Sequence, residues 1–97
     1  MMTFIARMTV KEGQEEEFIR LIKALGEKVH ANEPDCLYYR AFRLRDGERR
    51  FAVIESFKDE AAEETHRNAP WFTELVDPIL ATLDGSYERE YLDPLES

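Results

Sequence analysis

The chain has 97 residues, of which 43% are hydrophobic, and this predicts one folded domain spanning residues 1–97. Its formal net charge is −8, with 13 Lys and Arg against 21 Asp and Glu, which argues against a nucleic-acid partner. No apolar run approaches the ~20 residues of a membrane span. The single cysteine, Cys36, cannot form an internal disulfide, so we expect a cytoplasmic protein without a membrane partner.

The spacing of apolar residues predicts strands and helices in a defined order. The predicted elements are a strand over 3–10, a helix over 14–31, hairpin strands over 37–45 and 49–57, a short helix after Asp59, a helix over 70–83 and a strand over 86–92. Asp46-Gly47 predicts a turn with two central residues, which would place Tyr38 opposite Glu55. Pro78 predicts a kink or break in the last helix.

This element order is that of the ferredoxin-like α+β fold, a βαββαβ unit with a four-stranded antiparallel sheet. The helices of this fold cover one face of the sheet, yet both faces of the predicted hairpin carry large apolar residues. The predicted faces hold Phe42, Phe51, Val53 and Phe57 on one side, and Leu37, Tyr39, Ala41, Ala52 and Ile54 on the other. Because the second face also needs a cover, we expect a two-fold homodimer that packs sheet to sheet.

His66 is the first candidate for a functional residue. The short helix that carries it buries little, and His66 shares a helix face with Ala62, four residues earlier. Trp71 and Phe72 follow and would wall the same cavity, as a small organic-acid or phenol site requires. The alternative is a partly exposed histidine at a helix end, where the helix dipole favours a cation.

Glu55 is the second candidate because it places a carboxylate on an otherwise apolar strand face. In the predicted register, Arg40 lies diagonally across from Glu55 and would be its counter-ion. Two roles are open for Glu55. It forms an ion pair or caps nearby backbone, or it orients a substrate or His66 for catalysis.

Several short segments follow one another in a distinctive order along nearly the whole chain: residues 4–10 with Gly13, 16–18, 33–39, and 51–61 with His66, Pro70 and Phe72. In these segments and their order, the sequence resembles the antibiotic biosynthesis monooxygenase (ABM) domain, a dimeric α+β barrel group. The group includes small bacterial quinol monooxygenases and the enzyme that processes the phosphorylated autoinducer-2 signal. The resemblance implies oxygenation without metal, flavin or other cofactor, acting on a small phenolic or hydroquinone (quinol) substrate.

The resemblance also implies roles for single residues. His66 would accept the phenolic proton or hydrogen-bond the anion, with Glu55 as the second catalytic residue. Cations would hold negative charge and aromatic rings would form apolar walls. The substrate-binding candidates for these roles are Arg40, Arg7, Tyr38, Trp71 and Phe72. The sequence contains no glycine-rich phosphate loop and no spaced metal-ligand cluster, in agreement with this chemistry.

Two other functions remain open. An isomerase-like enzyme on a small (phospho)hydroxyketone would use His66 and Glu55 without consuming oxygen, and a non-catalytic dimeric module would hold a small aromatic ligand. Haem degradation is disfavoured. Haem-degrading relatives carry Asn, Trp and a ligating His where this chain has Ala6, His66 and Val76, so no axial ligand is available.

Overall fold

A computed structural model describes residues 1–96 of the chain. Its elements are β1 (Met2–Thr9), α1 (Glu15–Asn32), β2 (Cys36–Arg43), β3 (Arg50–Phe57), α2 (Glu60–Asn68), α3 (Pro70–Ala81) and β4 (Glu88–Leu92). The strands form one antiparallel sheet in the order β2-β3-β1-β4. This confirms the predicted ferredoxin-like α+β fold. In residues 1–96, no helix combines the length and apolar character that crossing a membrane requires.

The helices begin and end where local chemistry favours it. Asp59 caps α2, because its side chain accepts the Ala62 backbone N–H at 2.9 Å. Pro70 starts α3, where its missing N–H costs nothing. The buried side chains of α1 recur at helical spacing and are Phe18, Leu21, Ile22, Leu25 and Val29.

The β2–β3 hairpin pairs one residue away from the predicted register, so that part of the prediction is wrong. Tyr39, and not Tyr38, lies opposite Glu55, and Phe42 lies opposite Ala52. A one-residue shift moves every side chain of a strand to the other sheet face. The predicted faces of β2 are therefore exchanged: Tyr39 faces the helices and Phe42 faces away from them.

The loop between these strands explains the shift. It is longer than a two-residue turn, since the Leu44 N–H donates to the Arg50 carbonyl at 2.9 Å and closes the hairpin there. Gly47 has a φ of 100° and Arg49 a φ of 57°. A left-handed residue is rare outside glycine, and the Arg49 conformation is a tertiary feature that the Asp-Gly signal does not indicate.

α3 runs unbroken through Pro78, so of the kink or break predicted there the break is wrong. Pro78 lacks the N–H that would bond to the carbonyl of Glu74, four residues earlier. Glu74 is exposed, so water can satisfy that carbonyl. Buried Ile79 keeps the helix packed on α1 past the proline.

The core lies between the helices and one side of the sheet, here called the inner face. Its largest fully buried side chains are Phe4, Phe18, Phe57, Val10 and Val29. The strand pairing places Phe4, Ala6, Met8, Tyr39, Phe51, Val53, Glu55, Phe57, Arg89 and Tyr91 on the inner face. The opposite side, the outer face, carries Ile5, Arg7, Tyr38, Arg40, Phe42, Ile54, Glu90 and Leu92.

Candidate active site

His66 lies on the inward face of α2, and only 2% of the residue is exposed. Ala62, one turn earlier, packs against the same core, which confirms that the two share an inward face. The rings of Tyr39, Phe57 and Phe72 surround the imidazole at centroid distances of 5.6, 5.2 and 4.9 Å. The ring is enclosed by aromatic groups, so the alternative of a partly exposed helix-end histidine is wrong.

The Nδ1 side of the His66 ring contacts Glu33, which follows the last residue of α1. Nδ1 lies 3.0 Å from both carboxylate oxygens of Glu33. Trp71 donates its indole N–H to Glu33 Oε2 at 2.6 Å. Because a carboxylate accepts hydrogen bonds and does not donate them, Nδ1 carries the hydrogen. The Nε2 atom of a neutral ring is then left as an acceptor.

The Nε2 side of the ring faces Glu55, whose Oε1 lies 3.8 Å away. That distance exceeds a direct hydrogen bond and leaves room for approach. Only 8% of Glu55 is exposed. Burial raises the pKa of the Glu55 carboxyl to about 8; Arg89 opposes this rise, and the carboxylates of Glu63 and Glu33 add to it.

Glu55 opens onto a cavity of about 70 Å³ between the inner face of the sheet, α1 and α3. Tyr39, Glu55, Tyr87 and Arg89 are its polar lining residues, and the rest of its wall is apolar. His66 is not among the residues that line it, so Glu55 stands between the imidazole and the cavity. Within residues 1–96, no group of three or more His, Cys, Asp or Glu side chains is arranged to hold a metal ion.

Arg89, on β4, places a positive charge at this cavity. Its guanidinium carbon lies 4.3 Å from the centroid of the Phe4 ring, and its Nη1 lies 3.8 Å from Glu63 Oε2. Glu63 is a buried residue of α2 that also accepts from Arg67 Nε at 2.9 Å. The positive charge of Arg89 also acts on Glu55, since it lowers the pKa of that carboxyl against the effect of burial.

Three of the predicted substrate-binding residues lie on the outer face, away from the cavity: Arg40, Arg7 and Tyr38. Arg7 forms an ion pair with Glu90 at 2.7 Å. The Arg40 guanidinium lies 5.8 Å from the centroid of the Phe42 ring. The expected ion pair between Arg40 and Glu55 does not form, because the shifted register places the two side chains on opposite faces.

The structure brings the other predicted residues together around His66. Phe72 lines the cavity, while Trp71 holds Glu33. Three further site residues, Glu33, Tyr39 and Arg89, were not predicted from the sequence. Glu33 gives no local signal, since it contacts a residue 33 positions later. Arg89 does give a local signal, because it is a cation between Tyr87 and Tyr91 on one face of a short predicted strand.

The family model described as antibiotic biosynthesis monooxygenase matches residues 1–78. A candidate antibiotic biosynthesis monooxygenase from Caulobacter crescentus CB15 is similar in structure, with a TM-score of 0.93 and 29% identity, over 98% of this chain and 90% of that chain. A second structure, of an antibiotic biosynthesis monooxygenase, gives a TM-score of 0.89 and 29% identity, over 98% and 99% of the two chains. The structure of a Pseudomonas aeruginosa protein gives a TM-score of 0.86 and 30% identity, over 97% of this chain and 93% of that chain. No protein of curated function matches the chain significantly.

Proposed function

Because this chain belongs to the antibiotic biosynthesis monooxygenase family, we propose that it is a monooxygenase that oxidises a small phenol or hydroquinone without a cofactor. The observation that carries the proposal is the buried carboxyl of Glu55, which opens onto a largely apolar cavity and is backed by His66. Oxidation without a cofactor needs a substrate that gives electrons to oxygen itself, as a phenolate does. One oxygen atom enters the ring and the other leaves as water, with all electrons supplied by the substrate.

Glu55 is the group placed to remove the phenolic proton. A base works best when its pKa lies near the working pH, and the pKa of Glu55, about 8, meets that condition. His66 stands behind it with an acceptor nitrogen, so the protonated carboxyl donates to Nε2 once the 3.8 Å gap closes. Arg89 lines the same cavity and balances the phenolate that remains.

The size of the cavity limits the substrate. At about 70 Å³ it is smaller than the roughly 150 Å³ engineered cavity that holds a benzene molecule. A single aromatic ring therefore enters only when rim side chains move, and Leu80 and Tyr87 are the exposed lining residues that are free to do so. We expect one-ring phenols to be substrates and fused polycyclic phenols to be excluded.

Oxygen uptake by the pure protein with a panel of one-ring hydroquinones tests this function. Replacing the imidazole (His66→Ala) should lower turnover by about 10²–10⁴-fold, the usual contribution of a positioned acid–base group. His30→Ala is the matched control, since His30 is exposed and lies outside the cavity. A His66→Ala protein with native circular dichroism and the full rate of oxygen uptake would remove His66 from the mechanism.

The same assay separates the other two functions. Conversion of a small hydroxyketone without oxygen uptake would indicate the isomerase-like enzyme, with Glu55 and His66 moving a proton between carbon and oxygen. A raised Tm with small phenols and no turnover of any substrate would indicate a binding module.

We also propose that the outer face pairs with the outer face of a second copy. Tyr38, Phe42 and Leu92 are 40%, 39% and 44% exposed there, although large apolar side chains usually find a cover. Half-buried Ile5 and Ile54 lie on the same face. An antiparallel sheet with one helix-covered face and one uncovered face that exposes large apolar side chains favours sheet-to-sheet association.

A further inference from the structure

We propose that Glu33 is a positioning residue, which holds His66 as the Nδ1–H tautomer and balances the charge of the ring when Nε2 takes up a proton. The catalytic consequence of this inference rests on the proposed function. The tautomer and the charge pairing are properties of the free protein and are measurable without any substrate.

The contact between Glu33 and His66 has the geometry of a dedicated pair. Both carboxylate oxygens lie 3.0 Å from Nδ1, and the two side chains are 7% and 3% exposed. The Trp71 N–H fixes the carboxylate from the other side at 2.6 Å. A buried carboxylate that accepts two N–H groups is held in one orientation, and it holds the imidazole in turn.

The neighbours of the ring single out Glu33 as the balancing charge. The titratable and charged groups around the ring and its two acidic partners are Glu33 before β2, Cys36 and Tyr39 on β2, Glu55 on β3, Glu63 and Arg67 on α2, and Arg89 on β4. Burial raises the pKa values of Cys36 and Tyr39, so both stay neutral at neutral pH. Glu63 is already paired with Arg67. Glu55 lies 3.8 Å from Nε2, but burial raises its pKa to about 8, so its carboxyl is mostly uncharged at neutral pH. Glu33 is therefore the carboxylate whose charge acts directly on the His66 ring.

In this arrangement, His66 can store the proton that the substrate loses. The phenolic proton moves to Glu55, and the Glu55 O–H then passes it to Nε2 of His66. The Nδ1–H bond to Glu33 stays intact throughout, so the product of the transfer is an imidazolium paired with a carboxylate. The proton returns by the same route when the second oxygen atom leaves as water. The other hydrogen of that water comes from the ring carbon that has taken up oxygen, so no net proton is released.

Nitrogen-15 NMR of the histidine side chains in the wild-type protein tests the tautomer directly. His66 should show a protonated Nδ1 whenever its ring is neutral. His30 is an internal control with the opposite expectation, because its Nε2 lies 2.8 Å from the Tyr39 carbonyl and must donate to it. A neutral His66 ring protonated at Nε2 and bare at Nδ1 would overturn the inference.

Glu33→Gln tests the charge. The glutamine oxygen can still accept from Nδ1, so the tautomer should persist, while the His66 ring should become charged only at lower pH than in the wild type. Turnover should fall by about tenfold or more, since the change removes the carboxylate that stabilises the imidazolium, as the aspartate does in a Ser-His-Asp triad. Glu27→Gln, at an exposed position of α1, removes the same charge and should change neither quantity.

An unchanged His66 titration in Glu33→Gln would overturn the charge-balancing role. Absence of turnover in the wild type with every phenol would instead contradict the proposed function, and the NMR results would still decide the role of Glu33. If Glu33→Gln does not fold, the wild-type tautomer measurement alone is sufficient to reject the inference.

Discussion

The two faces of the sheet are unusual in opposite ways, since the inner face buries an acidic residue and the outer face exposes a large aromatic one. The inner face, under the helices, buries the carboxyl of Glu55 at 8% exposure. The outer face, with no helix over it, leaves the Phe42 side chain 39% exposed. Burying an acid and exposing a large aromatic ring both cost free energy. We interpret the first as the mark of a chemical site and the second as the mark of an interface, and each interpretation can be tested separately.

The largest expected effect on stability comes from Glu55→Gln. The carboxyl has its pKa raised from 4.5 to about 8, so between these pH values the folded protein binds more protons than the unfolded chain. Stability therefore falls as pH rises through that window. The free energy of unfolding of the wild type falls by at most about 5 kcal/mol over this window. Glu55→Gln should not show this fall, because glutamine does not titrate.

The measurement is Tm from pH 5 to 9 for both proteins. The Tm of the wild type should drop relative to that of Glu55→Gln by on the order of 10 °C across this range. Glu64→Gln is the control, because Glu64 is an exposed acid of α2 and its loss should leave the pH slope of the wild type unchanged. Parallel curves for wild type and Glu55→Gln would mean that Glu55 titrates like an exposed glutamate.

A smaller effect on stability is expected at the outer face. Phe42→Glu should convert a dimer into a monomer in light scattering at micromolar concentration, because a charge replaces an apolar contact between sheets. The stability of the folded monomer should change by about 1 kcal/mol or less, since Phe42 is 39% exposed and strand propensities span about that range.

Leu95→Glu is the matched control for Phe42→Glu. Leu95 is fully exposed and follows the last strand, so the same change there should leave the measured mass unaltered. A wild-type protein that is already a monomer at this concentration would contradict the pairing of outer faces.

The fold could be predicted from the sequence because its signals are local. The helical spacing in α1, the cap at Asp59 and the proline at the start of α3 each act within a few residues, and the structure agrees with them. The hairpin register depends on the length of the loop that Leu44 and Arg50 close, and the Asp-Gly motif predicts a shorter turn. Because the predicted register was wrong by one residue, the prediction exchanged the two faces of β2 and placed Arg40 beside Glu55.

The candidate site could be predicted only in part, for the same physical reason. The inward direction of His66 follows from helix periodicity, and the unusual position of Glu55 follows from strand alternation. The contact of Glu33 with His66 depends on how the end of α1 packs against α2, and the approach of Arg89 depends on the pairing of β4 with β1. The position of Arg89 between two tyrosines is a local signal, but its contacts, like those of Glu33, are fixed by tertiary packing between distant segments.

The central claim is that Glu55, on the inner face, removes a phenolic proton at the cavity. The most direct measurement is the pH dependence of kcat/KM for oxygen uptake, using a phenol that ionises near pH 10, the usual range of such a group. We expect the rate for the wild type to rise with pH to a plateau with a midpoint of about 8, the pKa of the buried carboxyl. Glu55→Gln should lose this rise and fall by about 10²–10⁴-fold. A Glu55→Gln protein with the full rate and the wild-type pH profile would contradict the claim.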